Sequence, residues 1–170
     1  MALSFLTSSD LTLDVVVTCD SSVTCNDEQR DKYLETGNLN ELDNVGDEAS
    51  RFTLKALSPS EREQAETAAG ALTRSELGRL LWNQTPDNDI ERANWHHQLS
   101  NDERSALADY QNYLNRVYLE MIRVSLQSLN DEPVDVDQLQ LIRPEAARLQ
   151  TITELVLHVQ RISLVGIEGK

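Results

Sequence analysis

The sequence predicts a mainly α-helical protein: a helical domain built around one long central helix, preceded by a small N-terminal β element and an extended acidic arm. Three observations lead there. Capping boxes recur at Ser58-Pro59-Ser60-Glu61, Thr73-Arg74-Ser75-Glu76 and Ser100-Asn101-Asp102-Glu103, where a hydroxyl and a Glu three residues on can satisfy the free N–H groups of a helix start. Apolar residues at spacings of three and four run from Leu107 to Val124. Before Leu57, by contrast, short β-branched or alternating runs flank a stretch crowded with carboxylates.

The β-branched run Leu11 to Val17 reads as a strand, and Arg51 to Leu57 alternates in a way that lets it pair with that strand as a small sheet or hairpin. Between them the chain holds Gly37, Gly46 and several Asn, with one helical turn fitting at Arg30 to Glu35. Residues 20 to 50 carry nine acids against Arg30 and Lys32, and mutual repulsion is expected to keep this segment extended. Its apolar residues are too sparse for a core, so Tyr33 and Leu34 are expected to anchor the arm in a partner's pockets. The expected division is residues 1–57, β element and arm, and residues 58–170, helical domain.

Past Leu57 the first helix should run from the Ser58 cap to Gly70, a second from the Thr73 box through Trp82, and a third from about Asn88 to Gln98. The long helix should begin at the Ser100 box and reach about Leu129, with Tyr118, Ile122 and Leu129 widening its apolar arc to roughly 200°. So broad an arc places the helix at the centre of the fold or in an interface between copies, with Leu114 and Met121 as contact residues. An acidic loop follows from Asn130 to Gln138, and a last helix starts near Pro144, carrying Leu149, Ile152, Val156 and Val159 on one face. Leu157, Ile162, Leu164 and Val165 add apolar groups in other directions, which implies burial from several sides before Gly166 ends the helix.

The chain has 170 residues and a net charge of −14, of which −9 lies in residues 1 to 50 (11 acids, 2 bases) and −5 in the remainder (18 acids, 13 bases). That balance argues against a nucleic-acid surface, which needs clustered Lys and Arg. No apolar run approaches the roughly 20 residues of a membrane span, and the N-terminus lacks the basic region of a secretory signal, so synthesis in the cytoplasm is expected.

Motifs for chemistry are sparse. Glycine-rich phosphate loops and the G-x-S-x-G nucleophile elbow are absent from the sequence. His96 and His97 are adjacent on an expected helix, so their side chains diverge by about 100° and grip one ion poorly. His158 is expected on the polar side of the last helix, paired with Glu154 or Arg161. Asp131, Glu132, Asp135 and Asp137 lack the glycine turn and distal Glu of a calcium loop. Cys19 and Cys25 are expected to be unpaired small residues. Trp82 and Trp95 fit core or interface anchors better than a sugar platform. The expectation is a chain with no metal, no cofactor and no catalytic residue.

The segment Arg51-Phe52-Thr53-Leu54-Lys55-Ala56-Leu57-Ser58-Pro59-Ser60-Glu61-Arg62, preceded by acids with Tyr33 and Gly37, resembles small proteins encoded among the structural genes of tailed bacteriophages, in which an F-x-(I/L)-(K/R)-x-L strand precedes a capped helix. The resemblance implies non-enzymatic assembly work, as a homo-oligomeric component of the virion bound to other phage structural proteins, or as a tail assembly chaperone that never enters the particle. It transfers no individual functional residue. From another class, an acidic inhibitor that mimics nucleic acid in a basic cleft also fits the charge.

Overall fold

The computed structural model describes residues 11–70 and 76–168, with side chains as far as Leu164. The chain is mainly α, and it forms two compact units: Met1–Gln64 with Tyr118–Lys170, and Ala65–Val117. The boundary expected at 57/58 therefore falls inside the first unit.

In the first unit, strand β1 (Thr12–Val16) is followed by the short pair β2 (Val23–Thr24) and β3 (Asn44–Val45), and then by β4 (Arg51–Lys55). As the alternation predicts, β1 pairs antiparallel with β4, and Phe52 and Leu54 point into the core at 3% and 0% exposure. The other edge of β4 takes β5 (Leu126–Leu129), giving the order β1-β4-β5.

Helix α5 (Asn101–Ser125) therefore ends earlier than Leu129, the end expected from periodicity, and spans about 37 Å at 1.5 Å per residue. The reason lies in β4, whose second edge needs partners for its backbone groups. Ser125, fully buried, donates its hydroxyl to the Lys55 carbonyl at 2.5 Å, and Leu129 comes into register opposite Phe52. A turn through Asn130 and Asp131, both at positive φ, closes the strand, and part of the expected acidic loop is a 3-10 helix, Val136–Leu141, that buries Val136 and Leu139.

Residues 20 to 50 are not an extended arm. Helix α1 (Asp27–Thr36) starts at a capping box between Asn26 and Gln29 and ends at Gly37, whose φ of +69° is the left-handed cap that glycine adopts without strain. The Asp20 carboxylate accepts from the Ser22 and Ser50 N–H groups at 2.8 and 2.9 Å and so fastens the two ends of the segment together. Burial works to raise its pKa, but these donors outweigh burial and hold it below the ordinary value. Tyr33, Val23, Leu42 and Ala49 join Val16 in one buried cluster, with Leu34 packed against it. The Tyr33 hydroxyl accepts from Val16 N at 2.9 Å and donates to Val16 O at 3.0 Å, so one side chain pins α1 to β1.

Helix α2 (Pro59–Ala68) begins as predicted: Ser58 N donates to Glu61 Oε2 at 2.8 Å and Glu61 N to Ser58 Oγ at 3.2 Å. Helix α6 (Glu145–Glu168) runs through Gly166 and buries Ile152, Leu155, Val156, Val159 and Ile162. Leu149, Leu157 and Leu164 are exposed, so the apolar face is narrower than expected. The same face buries Glu154 and His158, where the sequence reading placed a surface ion pair.

The second unit comprises the end of α2, α3 (Glu76–Asn83), α4 (Asp89–Gln98) and the first part of α5. The Thr73 capping box lies outside the described residues. Asn88 caps α4 through the N–H groups of Ile90 and Glu91, and the Ser100–Glu103 box opens α5 as expected. Leu81, Leu99 and Leu107 form the core, with Trp95 packed on it. Gly78 lets α3 approach α5: a Cβ there would overlap the Ala106 carbonyl oxygen and stand 2.8 Å from Tyr110 Cβ.

Two substitutions test this packing. Tyr33→Phe strands the N–H and C=O of Val16, and it should lower the unfolding free energy by about 1–3 kcal/mol in denaturant titration, whereas a freely extended segment would show no change. Gly78→Ala would gain up to about 1 kcal/mol of helix propensity at an open site, but overpacking of about 1–3 kcal/mol should prevail. A lower melting temperature followed by tryptophan fluorescence is expected, and a rise would mean that α3 and α5 can separate freely.

Candidate partner-binding surface

The second unit also presents the best candidate surface. Helix α3 has apolar residues on more sides than one helix can bury: Leu81 and Gly78 face inward, which leaves Leu77 and Leu80 45% exposed and Trp82 40% exposed. Isolated exposed apolar groups are ordinary, but three on an eight-residue helix concentrate the kind of area that interfaces use. The helix is steadied by the Glu76–Arg79 ion pair, with bonds of 2.6 and 3.1 Å, and Arg79 holds the Glu76 carboxyl below its usual range.

Two clefts flank α3. One, of about 430 Å³, is lined by Tyr110, Tyr113, Leu114 and Val117 of α5, with Glu66, Glu76 and Arg79 at its polar side. The Tyr110 and Tyr113 rings stand 6.1 Å apart at 37°. The other, of about 460 Å³, is bounded by Trp82, Thr85, Pro86, His96 and Gln111. Its wall is braced by Arg92, which donates to Pro86 O at 3.0 Å and Asp87 O at 2.7 Å and pairs with Asp89 at 3.1 Å. Arg104 in turn caps α4 by donating to the carbonyls of His96 and His97, both at 3.2 Å. Both clefts combine apolar walls with a charged rim, which suits an apolar side chain entering from another protein.

Of the residues expected to bind partners, Trp82 and Leu114 lie on this surface. Trp95 is half-buried against the core leucines. Tyr33 and Met121 are buried at 0% and 6% exposure within the chain's own core, and Leu34 is half-buried beside Tyr33. The broad apolar arc of α5 is largely covered within the chain, since Leu107, Tyr113, Val117, Met121 and Ile122 are all buried, so its width needs no second copy. Leu77, Leu80 and Tyr110 are the surface residues that sequence reasoning missed. The run Leu77, Leu80, Leu81, Trp82 carried the signal, because the three leucines form one stripe and Trp82 lies about 100–160° away from them.

Cys19 and Cys25 are both free thiols, with Cys19 Sγ 3.3 Å from Thr151 Oγ1. Among the described residues no group of His, Cys, Asp and Glu side chains is placed to hold a metal ion, and no helix is long and apolar enough to cross a membrane. Compared with protein-family models, with curated proteins and with solved structures, the chain matches none.

Proposed function

We propose that the chain works without catalysis, by docking the exposed apolar flanks of α3 and the clefts beside them onto another protein. The observation that carries this reading is the triad Leu77, Leu80 and Trp82, apolar and 40–45% exposed on one short helix. The setting we propose is the assembly of a tailed-phage particle, with other structural proteins of the particle or further copies of this chain as partners and synthesis in the host cytoplasm. What supports the setting is the resemblance of residues 51–62, whose strand and Ser58-capped helix are both formed.

A second reading, an inhibitor occupying a basic nucleic-acid-binding cleft, gains from the folding of residues 20 to 50. Asp27, Glu28, Asp31, Glu35, Asp43, Asp47 and Glu48 are exposed on folded backbone, where a mimic needs them fixed.

In phage particles purified from infected cells, the chain should be found by mass spectrometry. Leu77→Glu with Leu80→Glu should reduce its incorporation about tenfold or more with an unchanged circular-dichroism spectrum, since loss of one anchor residue commonly exceeds 1 kcal/mol. Particles that form normally without the chain would overturn the assembly role, and a requirement for assembly without retention would identify a chaperone. Sensitivity to Asp31→Asn with Glu35→Gln in place of the α3 changes would favour the acidic inhibitor.

A further inference from the structure

We propose that the contact between α1 and α6 is an acid-sensitive latch, in which a neutral His158 sealed beside the Arg161 guanidinium keeps the segment around α1 docked and protonation of His158 releases it. His158 is fully buried, and neither ring nitrogen has a hydrogen-bond partner among the described residues. Its ring lies 4.9 Å from that of Tyr33. Arg161 follows three residues later, and its two terminal nitrogens are buried and equally without a partner among the described residues. The guanidinium fills the space that a Cβ on Gly37 would occupy, so the cap of α1 rests directly on it.

A proton added to His158 would therefore meet a buried cation and find no acceptor. The other groups that face this seam do not relieve it. From α1, the Tyr33 phenol is held neutral by burial, its pKa pushed up to about 12, and its hydroxyl is committed to Val16. Ahead of α1, burial and the neighbouring Glu154 raise the pKa of the Cys25 thiol, which keeps it neutral as well. On α6, the buried Glu154 carboxylate stands one turn before His158, but its oxygens accept from Thr18 N at 2.7 Å, Thr18 Oγ1 at 2.6 Å and Gln150 Nε2 at 2.8 Å, which commits it to the end of β1.

Burial first, and Arg161 second, push the His158 pKa down from 6.5 to about 3. When the seam opens, the imidazole recovers its ordinary value and takes up a proton. The closed form thus keeps its full advantage above about pH 6.5 and loses it as the pH falls toward 3, approaching tenfold per unit. This is the sign expected of a group whose charged form is excluded from the folded state.

The test uses the full chain. Hydrogen exchange of the α1 amides, corrected for intrinsic rates, should show protection falling about eightfold between pH 6 and pH 5 in the wild type, and His158→Gln should remove that dependence over the same interval. The carbon shift of the His158 ring should stay that of a neutral imidazole as long as α1 remains protected. A ring that titrates near pH 6.5 while α1 stays protected would overturn the latch, and so would a His158→Gln variant that keeps the wild-type dependence. Should that variant fail to fold, the ring titration of the wild type decides alone.

Discussion

The two edges of β4 govern the architecture. Phe52 and Leu54 are buried, so backbone groups on both sides of the strand need partners within the protein. One edge is closed by β1, forty residues earlier in the chain, and the other by β5, more than seventy residues later. The second closure stops α5 at Ser125 and turns the chain back through Asn130, which donates its N–H to Arg51 O at 2.8 Å and accepts from Arg51 N through its side chain. Once β4 is clamped in this way, Leu57 N reaches Ser163 Oγ at 2.9 Å, and α6 is drawn beside the sheet.

Much of this was legible in the sequence where the cause is local. The Ser58 and Ser100 boxes, the Asn88 helix start and the alternation of Arg51 to Lys55 each act within a few residues, and each appears as expected. The end of α5 was not legible, because Leu126 and Leu129 satisfy a helical spacing as well as a strand, and only the distant edge of β4 decides between them. Residues 20 to 50 show the same limit. The caps of α1 stand in the sequence at Asn26, Gln29 and Gly37, but only Tyr33 of its ten residues is buried, so the helix displays almost no apolar face. Its folding depends on the side chains of β1 and α6 that cover Tyr33.

The candidate surface divides along the same line. Trp82 could be suspected from composition alone, because a large aromatic in a small, polar unit seldom lacks a role. Leu77 and Leu80 needed the direction of α3 relative to α5, which the close approach at Gly78 sets. In α6, His158 lies three residues after Leu155 and four before Ile162, a core position by spacing, yet its residue type suggested the surface. Charge misled the reading in residues 20 to 50, where repulsion suggested an extended arm, and again at single buried positions such as Glu154, where geometry supplies three donors.

The order of the two units along the chain also bears on how the protein is made. Ala65–Val117 is one continuous stretch, whereas the unit around β4 is assembled from Met1–Gln64 and Tyr118–Lys170. A ribosome delivers the chain from its N-terminus at about 5–20 residues per second, so the continuous unit has all of its contacts in hand before the other receives β5 and α6. During that interval β4 has one bare edge, and Tyr33 lacks the covering helix. Synthesis therefore exposes the aggregation-prone part of the sheet for several seconds, and the dense negative charge of the first fifty residues is placed where it keeps nascent chains apart.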